Sequence, residues 1–117
     1  MQDVPLEVFH TLSANDILFV DGSHVARIGS DVVHILFHIL PRLRPGVIVH
    51  FHDILWPFEY PKRWVVGAGY AWNEAYCLRA FLQYNRAFEI MYYNSFLVEN
   101  YPAQLLEKMP HYLEFRR

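Results

Sequence analysis

Two short apolar runs, each ending in Asp and His, constrain this chain more than anything else in it. The first is Asp16-Ile17-Leu18-Phe19-Val20-Asp21-Gly22-Ser23-His24, and the second is Val47-Ile48-Val49-His50-Phe51-His52-Asp53. A continuous apolar run bounded by polar residues suits a strand covered on both faces, as in a parallel sheet. Asp21-Gly22-Ser23 is turn chemistry, because Gly tolerates positive φ and Asp and Ser bond nearby backbone N–H groups. Between the runs, Ser30 is a good helix N-cap and Asp31 suits the positive end of a helix dipole. Val32, Val33, Leu36, Phe37, Ile39 and Leu40 then form a wide apolar face. Pro41 ends or kinks that helix, and Pro45-Gly46 turns the chain into the second run. Strand, crossover helix and strand within about 30 residues make a βαβ unit.

The remaining segments are read more coarsely. Val4, Val8, Phe9 and Leu12 stand at helical spacing within residues 4–12. Residues 54–69 form a long aromatic loop with Trp56, Phe58, Tyr60 and Trp64, closed by the hinge candidate Gly67-Ala68-Gly69. Loops of this length usually form a lid or a binding surface. Asn73 caps a helix that uses Ala75, Leu78, Ala80, Phe81 and Leu82 and runs to about Tyr84. Residues 88–93 read as a third strand ended by Asn94-Ser95, and residues 102–109 read as a short helix.

At 117 residues the chain is one domain, able to bury roughly two-thirds of its unfolded surface. Hydrophobic residues make up 54% and charged residues 19%, against about a quarter charged in an ordinary soluble domain. The core is therefore unusually aromatic, or a second copy or partner chain covers part of this surface. A net charge of −2 with scattered basic residues excludes a nucleic-acid footprint. The single Cys77 excludes an internal disulfide and fits a reducing compartment. No apolar run approaches the ~18 residues of a membrane span, and the N-terminus lacks a signal-peptide pattern. The expectation is a cytoplasmic protein that is not membrane-bound.

In open parallel α/β sheets, ligands sit outside the carboxyl ends of the strands. Asp21, His24, His50, His52 and Asp53 are therefore candidates for one site. Two carboxylates with nearby imidazoles can hold a divalent metal, or orient a substrate hydroxyl and remove its proton. The plainer readings stand beside these: Asp21 as a turn residue, and His50 as a satisfied core histidine. A metal set of Asp21, His52 and Asp53 is one option. His34 and His38, at i, i+4, have ligand spacing too, but a solvent-facing pair is the commoner arrangement. Cys77 falls in an apolar helical pattern and reads as core rather than nucleophile.

Taken together, residues 16–24, the Gly29-Ser30-Asp31 helix start and Leu40-Pro41-Arg42-Leu43-Arg44-Pro45-Gly46 running into the second strand resemble a known family. It is the C-terminal half of class I S-adenosylmethionine-dependent methyltransferases, closest to the methyltransferase 24 family. The resemblance continues through Pro57-Phe58-Glu59-Tyr60-Pro61, Trp72-Asn73-Glu74, Phe88-Glu89-Ile90 and Asn94-Ser95, about residues 15–97 in all. It implies an α/β fold, a partial Rossmann-like sheet in which the strands beginning at Ile17, Val47 and Phe88 are the fourth, fifth and sixth. Tyr112 to Phe115 would be the remnant of the last, antiparallel strand.

The family's glycine-rich loop and first three strands have no counterpart among glycines 22, 29, 46, 67 and 69. The resemblance thus implies a single partial domain over residues 1–117, lacking the N-terminal donor-binding half and inactive in isolation. A homo-oligomer or a partner chain would cover the exposed sheet edge. The implied activity is methyl transfer from S-adenosylmethionine to a small-molecule acceptor, at oxygen. Asp21, Gly22, Ser23 and His24 would lie at the donor. His24, His52 and Asp53 would be catalytic, with His24 as base and residues 56–60 as an acceptor lid. Related catechol-type enzymes bind a metal with the acids ending these strands. Asp21 and Asp53 match those positions and His52 stands in place of one acid, so the resemblance implies Asp21, His52 and Asp53 as the set for a divalent metal. Two other classes stay open: a non-catalytic binding or assembly module, and a metal-dependent hydrolase using Asp21, His50, His52 and Asp53.

Overall fold

The computed structural model describes residues 3–111. Its sheet has two parallel strands, β1 (Ile17–Val20) and β2 (Ile48–Phe51), with Ile17 paired to Ile48, Leu18 to Val49, Phe19 to His50 and Val20 to Phe51. The expected βαβ unit is therefore present. Its crossover starts as α2 (Asp31–His34), where the Ser30 hydroxyl accepts from the Val33 N–H at 3.3 Å. The helix then widens into a π-helical turn over Ile35–Ile39, and the Leu40 N–H bonds back to the Ile35 carbonyl. It tightens into a 3-10 turn over Leu40–Arg42. This change of pitch surrounds Pro41, which has no N–H to donate and whose ring would strike the carbonyl four residues back.

One face of the crossover builds the core. Val32, Ile35, Leu36, Ile39 and Leu40 are buried together with Val20, Phe9 of α1 (Leu6–His10) and Leu78 of α3 (Glu74–Leu82). Leu18, Val49, Phe51 and Cys77 pack against this cluster. Phe37, expected on the same face, is exposed; at about 100° per residue it lies opposite the Ile35–Ile39 stripe. The sheet itself departs from expectation. Val20 is buried, but Ile17 and Phe19 on the other face are 63% and 55% exposed. Among the described residues, the strands are covered on one face and not on both.

The third strand is not formed. Residues 88–93 are irregular, and Asn94-Ser95, expected to end a strand, opens α4 (Asn94–Asn100) instead. The segment meets residues 55–58 through side chains: the Tyr93 hydroxyl donates to the Leu55 carbonyl at 2.6 Å, and the Phe58 ring lies 5.3 Å from that of Tyr93. No backbone ladder forms between them, so the partial sheet has two strands where three were expected. The short C-terminal helix is present as α5 (Pro102–Lys108). The expected strand remnant at 112–115 lies outside the described residues. Among the described residues, no helix is long and apolar enough to cross a membrane.

Candidate active site at the strand ends

Because β1 and β2 run parallel, their carboxyl ends open on the same side. Asp21 follows β1, and His52 and Asp53 follow β2. His24, three residues past Asp21, has φ +56°, and Asp53 has φ +55°. A non-glycine residue in this left-handed region costs of order 1–3 kcal/mol and persists only where its surroundings hold it. The hold on His24 is visible. Its carbonyl accepts from the N–H groups of Asn73 and Glu74, at 3.0 and 3.1 Å. The Asn73 side chain accepts from the Ala26 N–H at 2.6 Å and donates to the Ala26 carbonyl at 3.2 Å. The start of α3 is thereby tied to the loop that follows β1.

The side chains converge in a row. Asp21 Oδ1 lies 3.6 Å from His24 Nε2 and 3.7 Å from His52 Nδ1. His52 Nδ1 in turn lies 3.4 Å from Asp53 Oδ2. These separations exceed hydrogen-bond length, so the groups are electrostatic neighbours without direct hydrogen bonds. The other ring nitrogen of His24 is engaged firmly: Nδ1 lies 2.8 Å from Glu74 Oε2. Both side chains are buried, Glu74 at 1% exposure. Burial pushes the Glu74 carboxyl above its ordinary range, and the hydrogen bond and charge of His24 oppose that rise. Glu74 Oε1 is buried without a hydrogen-bond partner. The Trp72 ring lies 4.2 Å from the His24 imidazole and stacks on Tyr70 at 4.7 Å.

The structure thus brings Asp21, His24, His52 and Asp53 together. Gly22 and Ser23, implied by the resemblance to lie at the donor, are packed against Asp31. The Asp31 carboxylate accepts from the Ser23 N–H at 2.8 Å and from the Ser23 hydroxyl. A Cβ on Gly22 would collide with the same carboxylate. Burial acts upward on Asp31, but these hydrogen bonds outweigh it together and lower its carboxyl below the ordinary value. His50 stands apart from the row, stacked on Phe19 at 4.9 Å on the open face of the sheet. It is partly exposed and not enclosed in the core.

Among the described residues, no group of three or more His, Cys, Asp or Glu side chains is placed to hold a metal ion. In the expected Asp21–His52–Asp53 set, His52 Nδ1 lies 3.7 Å from Asp21 Oδ1 and 3.4 Å from Asp53 Oδ2. The His34 and His38 rings lie 5.2 Å apart, and His34 Nε2 is buried without a hydrogen-bond partner. In residues 56–60, Trp56 and Phe58 face Tyr93, and Tyr60 is buried with its hydroxyl accepting from the Ala75 N–H at 2.9 Å. The aromatic wall beside His24 comes from later residues, Trp72 with Tyr70 and Trp64 against it.

Glu74 is the site residue that pattern reading missed. In the sequence it is an acid in the first turn of a helix, a common stabilising placement. Its signal was the Trp72-Asn73-Glu74 triplet within the family resemblance.

Residues 2–54 match the family model described as a methyltransferase domain, that of the methyltransferase 24 family. No curated protein and no solved structure matches the chain. The matched segment holds β1, α2 and β2, and ends just past Asp53. The later stretches that carried the resemblance, from Pro57 to Ser95, lie beyond it. Residues 2–54, with four of the five groups in the row, are thus the part of the chain that is similar to the methyltransferase 24 family.

Proposed function

We propose that the row at the strand ends is the acceptor side of a class I methyltransferase site that uses S-adenosylmethionine. In this reading β1 and β2 correspond to the fourth and fifth strands of that sheet, and the acceptor is a small molecule methylated at oxygen. One observation carries it: a buried carboxylate holds one ring nitrogen of His24, and the other nitrogen faces Asp21 in the crevice. This is the arrangement a general base needs, because a candidate base must reach the acceptor's proton and be oriented by a third group.

The donor, when bound, supplies an electrophilic methyl group on a positively charged sulfur. The residues present fit it in part. Asp21 keeps a half-exposed carboxylate toward the crevice, whereas Gly22 and Ser23 are turned to Asp31. His24 Nε2 takes the proton that leaves the acceptor hydroxyl. Asp21, beside it, favours the imidazolium so formed. Trp72 covers one side of the His24 ring and limits the water that reaches it. Such a site acts by positioning and proton removal.

NMR titration of the 117-residue chain with S-adenosylmethionine tests the reading. The expected result is weak, saturable shifts confined to the amides of residues 21–24 and 52–53. Donor-induced shifts centred away from those residues would sink it. Micromolar binding by calorimetry would overturn the expectation that this chain alone binds the donor poorly or not at all.

A further inference from the structure

We propose that Glu74 is a positioning residue for His24: its carboxylate takes the Nδ1–H and leaves Nε2 unprotonated toward the crevice. The inference rests on the reading of His24 as the proton acceptor, and it names the group that makes His24 fit for that role.

The geometry supplies three restraints on one imidazole. Nδ1 is 2.8 Å from Glu74 Oε2, a charge-assisted hydrogen-bond distance. The Trp72 ring, 4.2 Å away, blocks one side of the imidazole. The backbone is fixed from the same direction, since the His24 carbonyl accepts from the N–H groups of Asn73 and Glu74. With the ring held this way, a proton on Nδ1 satisfies the carboxylate, and the Nε2 lone pair is left on the side of Asp21, 3.6 Å distant. A neutral imidazole carries one N–H, so the hydrogen bond made by one nitrogen decides the state of the other. When the acceptor O–H bond breaks, its proton goes to Nε2. The imidazolium then donates from Nδ1 to a carboxylate that has no other hydrogen-bond partner among the described residues. Nothing in the chain needs to move for that pairing to form.

The competing arrangement is an acid at Glu74 that donates to Nδ1, with the ring proton on Nε2. That ring could not accept a proton at the crevice. The two are distinguished by long-range proton–nitrogen NMR on the nitrogen-15-labelled 117-residue chain at mildly alkaline pH. The expected spectrum shows His24 with Nδ1 protonated and Nε2 bare. In Glu74→Gln the amide can donate as well as accept, and the expected result is loss of that preference, with the Nε2–H form present. A wild-type His24 found as the Nε2–H form would overturn the proposal, even if the variant failed to fold. An unchanged Nδ1–H preference in a folded Glu74→Gln would overturn it as well. A correct tautomer with donor-induced shifts centred away from residues 21–24 would instead defeat the methyl-transfer reading and leave the role of Glu74 standing.

Discussion

His24, in the loop after β1, and Asp53, just past β2, are both in the left-handed region, and both belong to the row at the strand ends. Asn15, Phe58 and Tyr84 share this geometry outside the row, and glycine would relieve the strain at any of these positions. Asp53→Gly is therefore expected to raise stability by up to about 1 kcal/mol, because the left-handed penalty disappears and glycine's extra unfolded-state entropy cancels part of the gain. Urea unfolding measures this, and a destabilised variant would show that the Asp53 side chain, and not the backbone geometry, governs the turn. Glu74 adds a pH dependence of definite sign. Its folded carboxyl lies above the ordinary value of 4.5 through burial, against the opposing influence of His24. The folded state then binds more protons than the unfolded state as pH rises from that value, so stability falls across the window up to the folded value. The stability of Glu74→Gln relative to wild type should increase over that window. A flat difference would mean that pairing with His24 cancels the burial effect. Asp21, His24, His52 and Asp53 could be picked out in the sequence because each lies at or near the end of an apolar run. Glu74 could not, because its partner is 50 residues away and no local pattern records the docking of α3.

That docking is how the elements reach the site. Asn73 stands at the N-cap position of α3, yet its side chain bonds Ala26 and not the helix. The first N–H groups of a helix need acceptors from outside it. His24 supplies one for Glu74, and the Tyr60 hydroxyl supplies one for Ala75. Burial, partly offset by this hydrogen bond, pushes the Tyr60 hydroxyl up to about 12, so it stays protonated and neutral through the physiological range. Tyr60→Phe leaves the buried Ala75 N–H without its acceptor and is expected to cost about 1–3 kcal/mol in chemical denaturation. A loss well under that would show that water replaces the hydroxyl. The elements also show which local patterns were readable. β1, α2 and β2 follow from apolar runs and a capping serine, and each finds its partner close in sequence. Residues 88–93 carry the same apolar and aromatic composition, but a strand exists only through a backbone ladder with a neighbour. Here Tyr93 and Phe88 make their contacts through side chains, with Leu55 and Phe81. Composition alone does not separate those two outcomes.

At the scale of the whole molecule, the sheet is covered on one side among the described residues. The molecule's radius of gyration is 15.8 Å, larger than the roughly 13–14 Å of a compact domain of this length. Helices α1 to α3 bring their apolar residues to the face that carries Leu18, Val20, Val49 and Phe51. The opposite face presents Ile17 and Phe19, with His50 and His52 in ring contact with Phe19. A two-stranded sheet gains little from its own pairing, so the covered face must supply most of its stability. Threonine substitutions on the two faces of one strand test this directly, because threonine keeps the β-branched shape and puts a hydroxyl in place of a methyl at Val20 and of the ethyl at Ile17. At Ile17, 63% exposed, the change should alter stability by no more than about 0.5 kcal/mol. At Val20, 2% exposed, the hydroxyl enters the core without a partner and should cost about 1–3 kcal/mol. A cost at Ile17 equal to that at Val20, appearing in unfolding curves only at high protein concentration, would show that a second chain covers the open face in solution. Equal costs at every concentration would mean that the chain folds back over that face itself.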